Sequence, residues 1–149
     1  MLWKWLLSFK GRIGRGRYWA ANCLYLVVLL GAFGFASYVT PGNENVKNPW
    51  SISAFIIAGV FIFLSSAAVC VKRFHDRGKS GWWFLLFYLA ERMGSFFQPG
   101  SATIETPVQF FGFLLEVSAV LWIVIELGIL RGQDGVNRYG PDPRVLAAA

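Results

Sequence analysis

The stretch VKRFHDRGKSGWWF, at Val71–Phe84, lies between two long apolar runs. It contains four basic residues, the single histidine of the chain, an aspartate and a pair of tryptophans: Lys72, Arg73, His75, Asp76, Arg77, Lys79, Trp82 and Trp83. This order of apolar run, basic loop, aromatic pair and second apolar run is typical of a chain that re-enters a membrane from the cytoplasmic side. Basic residues are retained on that side, and tryptophans favour the interface. The sequence therefore predicts a small integral membrane protein.

The composition agrees with this prediction. A chain of 149 residues has room for one domain. Apolar residues make up 56% of it and charged residues 15%, against roughly 25% charged in soluble domains. The seven tryptophans fit the two interfaces of a bilayer. Cys23 and Cys70 both lie in apolar runs, which indicates small hydrophobic side chains rather than a disulfide framework.

The lengths of the apolar segments predict an all-α integral membrane protein with four transmembrane helices. About 20 apolar residues are needed to cross about 30 Å of hydrocarbon. The predicted spans are residues 18–39, 50–71, 82–102 and 108–130. Residues 1–17 are predicted to form a short interfacial helix followed by a basic hinge, and residues 131–149 a surface tail.

The distribution of basic residues predicts the orientation. Residues 1–17, 71–81 and 131–149 hold twelve of the 14 lysines and arginines, and with four spans these segments all lie on one side. Since basic segments stay in the cytoplasm, both termini are predicted to be cytoplasmic. The net charge of +6 is then a topology signal, and we predict no nucleic-acid partner.

The same residues predict contact with anionic lipid of the cytoplasmic leaflet, at roughly 1 kcal/mol per basic residue near the surface. The tryptophan pair lies at headgroup level in this arrangement. The predicted lipid or partner contacts are Arg12, Arg15, Arg17, Lys72, Arg73, His75, Asp76, Arg77, Lys79, Trp82 and Trp83.

His75 and Asp76 are the residues most suggestive of catalysis. A general base, however, needs an orienting partner and a substrate site, and neighbours on an extended loop point in different directions. One histidine without a nearby cysteine does not indicate a metal site. The alternative is a structural loop in which Ser80 caps the next helix and Gly78 and Gly81 permit the turn. We therefore predict no catalytic residue, no metal and no cofactor.

Three charges are predicted at membrane depth: Glu91 and Arg92 in the third span and Glu116 in the fourth. At about 1.5 Å rise per residue, Arg92 and Glu116 match in depth to within about a turn. An unpaired charge there costs at least about 2.5–3.5 kcal/mol, so a pair between the two spans is expected. Three interpretations stay open: a proton or ion pathway, a buried structural pair, or a third helix that ends early at the outer interface.

Three motifs together resemble one family. They are GRIGRGRYW at Gly11–Trp19, KRFHDRGKSGWW at Lys72–Trp83 and GVNRYGPDP at Gly135–Pro143. They resemble the domain-of-unknown-function 805 family, the YhaH-like small bacterial inner-membrane proteins, from about Phe9 to Pro143. The resemblance implies a multi-span inner-membrane protein and no mechanism. The C-terminal motif residues singled out by it are Asn137, Arg138, Tyr139, Gly140, Pro141, Asp142 and Pro143.

The sequence thus predicts an accessory or scaffold protein of the bacterial inner membrane. Its expected partners are anionic lipids and a membrane protein, or further copies of the same chain. The alternative is a small transporter or channel component that uses Glu91, Arg92 and Glu116. A third interpretation is an enzyme acting on lipid head groups through His75 and Asp76.

Overall fold

The computed structural model describes residues 2–40, 48–97, 104 and 106–145. These residues form the helices α1 (Leu2–Leu7), α2 (Arg15–Val39), α3 (Pro49–Asp76), α4 (Trp82–Phe96) and α5 (Pro107–Ile123), the last continuing directly into a π-helix at Val124–Ile129. No β-strand is formed among them. The predicted all-α class is confirmed for this part of the chain.

Three of these helical segments have the length and composition of membrane spans. They are α2 with 25 residues, α3 with 28, and α5 together with the π-helix, Pro107–Ile129, with 23. Helix α4 has 15 residues and rises about 22 Å, less than the hydrocarbon core of about 30 Å. The third predicted span therefore coincides with α4 up to Phe96, and its residues 98–102 lie outside the described residues.

The central basic stretch is more helical than its sequence indicated. We expected an extended loop from residue 71, but α3 continues to Asp76. The charged side chains of its last turn are buried and bind partners inside the protein, which stabilises the additional turn. Arg77 is the C-cap of the helix, and Gly78 follows it at φ 71°, a left-handed conformation that glycine adopts without strain. The predicted cap at Ser80 is wrong, since the N-cap of α4 is Gly81 and no side chain caps it.

Two helix starts follow directly from local sequence. Asn48 caps α3 by accepting a hydrogen bond from the Trp50 amide, and Pro49 occupies the first helical position. Thr106 and Gln109 form a reciprocal capping box at the start of α5, again with proline in the first turn. These caps fix where the two helices begin.

The helices pack as two pairs, α2 against α3 and α4 against α5. Across the first pair, the Tyr25 hydroxyl and the Ser65 hydroxyl are 2.8 Å apart. In the second pair, a Cβ added at Gly94 would lie 3.1 Å from the Gly112 carbonyl oxygen. Glycine at position 94 thus lets the two backbones approach closely, as small residues do between membrane helices.

The buried core lies at one end of the bundle, where α1, α2, α3 and the π-helix meet. Its members are Leu6, Ile13, Tyr18, Ala21, Tyr25, Val69, Phe74, Ile123 and Leu127. We call this the basic end, because it also carries residues 8–17, 77–81 and 130–145. Along the rest of α2 and α3, large apolar side chains such as Leu30, Phe33 and Ile57 are exposed, as on a lipid-facing surface.

Candidate functional site

The basic end is built around a buried ion cluster of Arg12, Asp76 and Arg73. The Nη2 atom of Arg12 lies 3.0 Å from Oδ1 of Asp76, and its Nε donates to the same oxygen at 3.1 Å. Arg73 donates through Nη1 to the other carboxylate oxygen, Oδ2. The arginine side chains are 1% exposed and that of Asp76 is 4% exposed. One carboxylate therefore neutralises part of the charge of two buried guanidinium groups.

The remaining guanidinium donors bind backbone carbonyls of the C-terminal part of the chain. Arg73 donates from Nε to the Leu127 carbonyl at 2.7 Å and from Nη2 to the Leu130 carbonyl at 2.6 Å. Arg12 donates from Nη1 to the Gly135 carbonyl at 2.6 Å. These acceptors lie in and just after the π-helix, where the α-helical bonding pattern has ended and carbonyls are available. The cluster thus ties three distant segments of chain together.

Gly132 permits the closest approach in this arrangement. A Cβ at this position would lie 2.0 Å from Oδ2 of Asp76, inside any permitted contact distance. The neighbouring Gln133 amide donates to the Asp76 carbonyl at 2.8 Å. A side chain at position 132 would therefore displace the Asp76 carboxylate from its arginines or move the C-terminal segment away from the end of α3. Sequence reasoning missed this role, because one glycine among several in a polar tail carries no distinguishing signal.

A second ion cluster joins the α3–α4 loop to the π-helix. Oε1 of Glu126 lies 2.8 Å from Nζ of Lys79 and 3.2 Å from Nε of Arg77. Nζ of Lys79 also lies 5.0 Å from the centre of the Trp83 ring, a cation–π distance. The charges of the α3–α4 loop are thus bound to the protein itself.

His75 contacts the C-terminal motif rather than its neighbour Asp76. Its ring stacks on that of Tyr139, with centroids 3.8 Å apart and an interplanar angle of 6°, and its Nδ1 lies 3.2 Å from the Gly11 carbonyl oxygen. The Asn137 amide donates to the His75 carbonyl at 3.0 Å. Asp76 binds the two arginines instead, so the two side chains do not form an acid–base pair.

The C-terminal motif is a folded turn. Asn137 and Gly140 exchange backbone hydrogen bonds of 3.1 and 3.0 Å, and Arg138 reaches the Gly78 carbonyl at 3.4 Å. Asp142 accepts from the Gly135 amide at 3.2 Å and lies 2.6 Å from Nη2 of Arg144. The Arg144 guanidinium beside it holds the pKa of the Asp142 carboxyl well below its usual range. Pro141 is exposed and Pro143 is buried.

The predicted lipid-contact residues fall into three groups by exposure. Arg12, Lys72, Arg73 and Asp76 are buried, His75, Arg77 and Lys79 are half-buried, and Arg15, Arg17, Trp82 and Trp83 are exposed. Lys72 donates to the Trp5 carbonyl of α1, so it serves an internal contact as well. The structure therefore leaves Arg15, Arg17, Trp82 and Trp83 as the members of the predicted set that face outward.

Glu91, Arg92 and Glu116, the residues predicted at membrane depth, bind partners other than the expected ones. Arg92 donates from Nε to Oε2 of its neighbour Glu91 at 2.8 Å. Glu116 accepts from the Ser95 hydroxyl at 3.4 Å, which joins α4 to α5. The expected pair between Arg92 and Glu116 is thus replaced by two separate contacts. Among the described residues, no group of three or more His, Cys, Asp or Glu side chains could hold a metal ion.

Replacing Asp76 tests the ion cluster. Asp76→Asn keeps the shape but leaves two buried guanidinium groups without a carboxylate, so the free energy of unfolding is expected to fall by about 3–5 kcal/mol. The matched control is Asp134→Asn, whose side chain is 79% exposed and pairs with arginines at the surface. That change should cost no more than about 1 kcal/mol. Equilibrium unfolding in detergent measures both, and equal losses would contradict the cluster's structural role.

Comparison with known proteins agrees with the membrane architecture. The chain matches the family model described as "Protein of unknown function (DUF805)" over residues 6–141. It is 33% identical over 141 residues to "Uncharacterized protein YiiR" of Escherichia coli strain K12, covering 93% of this chain and 88% of that protein. It is 28% identical over 142 residues to "Inner membrane protein YhaH" of the same strain, covering 93% of this chain and 89% of that protein.

A further relative of that strain, "Inner membrane protein YhaI", is 27% identical over 138 residues, with 93% of this chain and 87% of that protein covered. No solved structure gives a significant match. The aligned relatives are covered over most of their length, and the structure has three apolar helices of membrane length. The chain is a multi-pass inner-membrane protein and belongs to the DUF805 family.

Proposed function

We propose that this protein is a four-span accessory or scaffold protein of the inner membrane with both termini in the cytoplasm. In this proposal the basic end contacts anionic lipid of the cytoplasmic leaflet or a membrane partner. The observation that carries the proposal is the contact of Arg12 with Asp76 and with the Gly135 carbonyl. It joins the N-terminal segment, the end of α3 and the C-terminal segment in one folded unit at one end of the helices.

Four crossings follow from a parity argument. Helices α2, α3 and α5 with its π-helix each have the length of a span. Three crossings alone would place the N-terminal and C-terminal segments on opposite faces of the membrane, which their direct contact forbids. In the proposal, α4 therefore supplies the fourth crossing, so that α5 begins on the far side. The α4–α5 pairing supports this arrangement.

The charge distribution supports the orientation. The three segments joined at the basic end contain twelve of the 14 lysines and arginines, which supports a cytoplasmic location for this end by the positive-inside rule. Several of these basic residues are exposed: Lys10, Arg15, Arg17, Arg131, Arg138 and Arg144. At roughly 1 kcal/mol each near an anionic surface, they supply an attraction to the cytoplasmic leaflet.

A scaffold role fits the many internal hydrogen bonds and ion pairs of this end. Its buried charges are held by internal partners, and its surface arginines are presented by helix ends and hydrogen-bonded turns. Such a surface keeps a fixed shape for a membrane partner or a second copy of the chain. The transport alternative stays a prediction that rests on Glu91, Arg92 and Glu116.

Thiol labelling tests the topology. In a Cys23→Ala/Cys70→Ala background, single cysteines are introduced as Ile104→Cys, before α5, and Val136→Cys, at the basic end; both positions are exposed. A membrane-impermeant maleimide applied to intact cells should label position 104 and should label position 136 only after lysis. The reverse pattern, with 136 labelled and 104 protected, would overturn the proposed topology, because it requires either three crossings or four crossings in the inverted orientation.

Native mass spectrometry tests the proposed role. The protein is extracted gently from its membrane and sprayed with its bound lipids and partners. We expect retention of anionic over zwitterionic lipid, or a stoichiometric protein partner, or a fixed oligomer. A bare monomer without lipid preference or partner, prepared under conditions that preserve a known membrane complex, would contradict the proposal.

A further inference from the structure

A cleft of about 440 Å³ lies at the basic end, between the start of α2 and the C-terminal motif. Four arginines and two aspartates are among the residues that line it, so the formal charge of the lining is +2: Arg15, Arg73, Arg131, Arg144, Asp76 and Asp142. Its volume is within the roughly 300–1,000 Å³ typical of small-molecule sites.

Both carboxylates of the cleft are already engaged by arginines. Asp76 is bound by Arg12 and Arg73, and Asp142 by Arg144. The Asp142 carboxylate is ionised at neutral pH, since Arg144 depresses its pKa, and it stays bound to that arginine. Neither aspartate therefore pairs with the other two arginines of the cleft, Arg15 and Arg131.

Two arginines of the cleft are available to a ligand. The Arg15 guanidinium forms no hydrogen bond or ion pair within the part of the chain that the structure describes. Arg131 is 76% exposed and has one long contact, 4.0 Å from its Nε to Oδ1 of Asp134, which is worth at most about 1 kcal/mol at the surface. Two arginines that line one cleft and are not held by strong internal partners suit a phosphate group, which arginine binds in bidentate fashion.

The position of the cleft places it at the level of lipid head groups. Arg15 begins the span-length helix α2, and Arg131 follows two residues after the end of the span-length segment at Ile129. One turn into α2, the Trp19 indole donates to the Gly128 carbonyl at 3.1 Å, an anchor of the kind found at membrane interfaces. The positive end of the α2 dipole adds to the arginine charges.

We propose that this cleft binds a single phosphate group between Arg15 and Arg131, either that of an anionic phospholipid or that of a free phosphate compound. The inference rests on the proposed contact with anionic lipid and assigns it to one site. It also differs from general surface attraction, because Lys10 and Arg17 are exposed cations near Arg15 in the chain and do not line the cleft.

The test compares two double variants that remove the same charge. Arg15→Gln/Arg131→Gln changes the cleft, and Lys10→Gln/Arg17→Gln is the matched control. Each full-length protein is titrated in zwitterionic nanodiscs with short-chain phosphatidic acid, with short-chain phosphatidylglycerol and with inorganic phosphate, and bound ligand is counted by native mass spectrometry. Unfolding midpoints establish that each variant is folded, which we expect since neither Arg15 nor Arg131 has a buried partner.

The wild-type protein should bind one ligand saturably, the cleft variant at least tenfold more weakly, and the control variant within threefold of wild type. Binding of lipid alone identifies a phospholipid site, and binding of inorganic phosphate as well identifies a site for the phosphate group itself. Equal weakening in both variants, or no weakening in the cleft variant, overturns the inference while leaving the lipid contact intact. If wild type binds none of the three probes, the inference fails, and the lipid branch of the proposed function fails with it.

Discussion

The structure depends on one carboxylate that holds two buried guanidinium groups. Asp76 lies at the end of α3 with Arg73 one turn before it and Arg12 brought from the N-terminal segment. Neither arginine could be buried beside the membrane alone, because an isolated ion loses several kcal/mol of hydration there. Their remaining donors require carbonyls, which the π-helix and the residues after it supply. The fold of the C-terminal segment is thus a consequence of satisfying these charges.

This arrangement separates the basic residues into internal and external sets. Arg12, Lys72 and Arg73 are buried, and Arg77 and Lys79 bind Glu126, so these cations stabilise the protein. Among the described side chains of the basic end, six others are exposed, and of these Arg15 and Arg131 line the cleft without a strong internal partner: Lys10, Arg15, Arg17, Arg131, Arg138 and Arg144. These exposed arginines are the residues through which we propose contact with an anionic group.

Much of the fold could be predicted because membrane constraints act locally. Apolar runs of about 20 residues can be recognised in the sequence, and so can the twelve basic residues in three segments and the three family motifs.

The site could not be predicted in the same way. Arg12 and Asp76 are 64 residues apart in the chain, so only the tertiary structure shows that they pair. Lys72 and Arg73 are buried, whereas lysines and arginines are usually exposed. The expected direct contact between Arg92 and Glu116 is not formed, because Arg92 binds its neighbour Glu91 instead.

A double-mutant cycle on Arg12 and Asp76 tests the central claim most directly. The free energies of unfolding of wild type, Arg12→Gln, Asp76→Asn and the double variant are compared in the same detergent. If the two side chains form the contact on which the basic end depends, the coupling energy should be about 1–3 kcal/mol and the second substitution should cost much less than the first. Additive losses, with no coupling, would contradict the account.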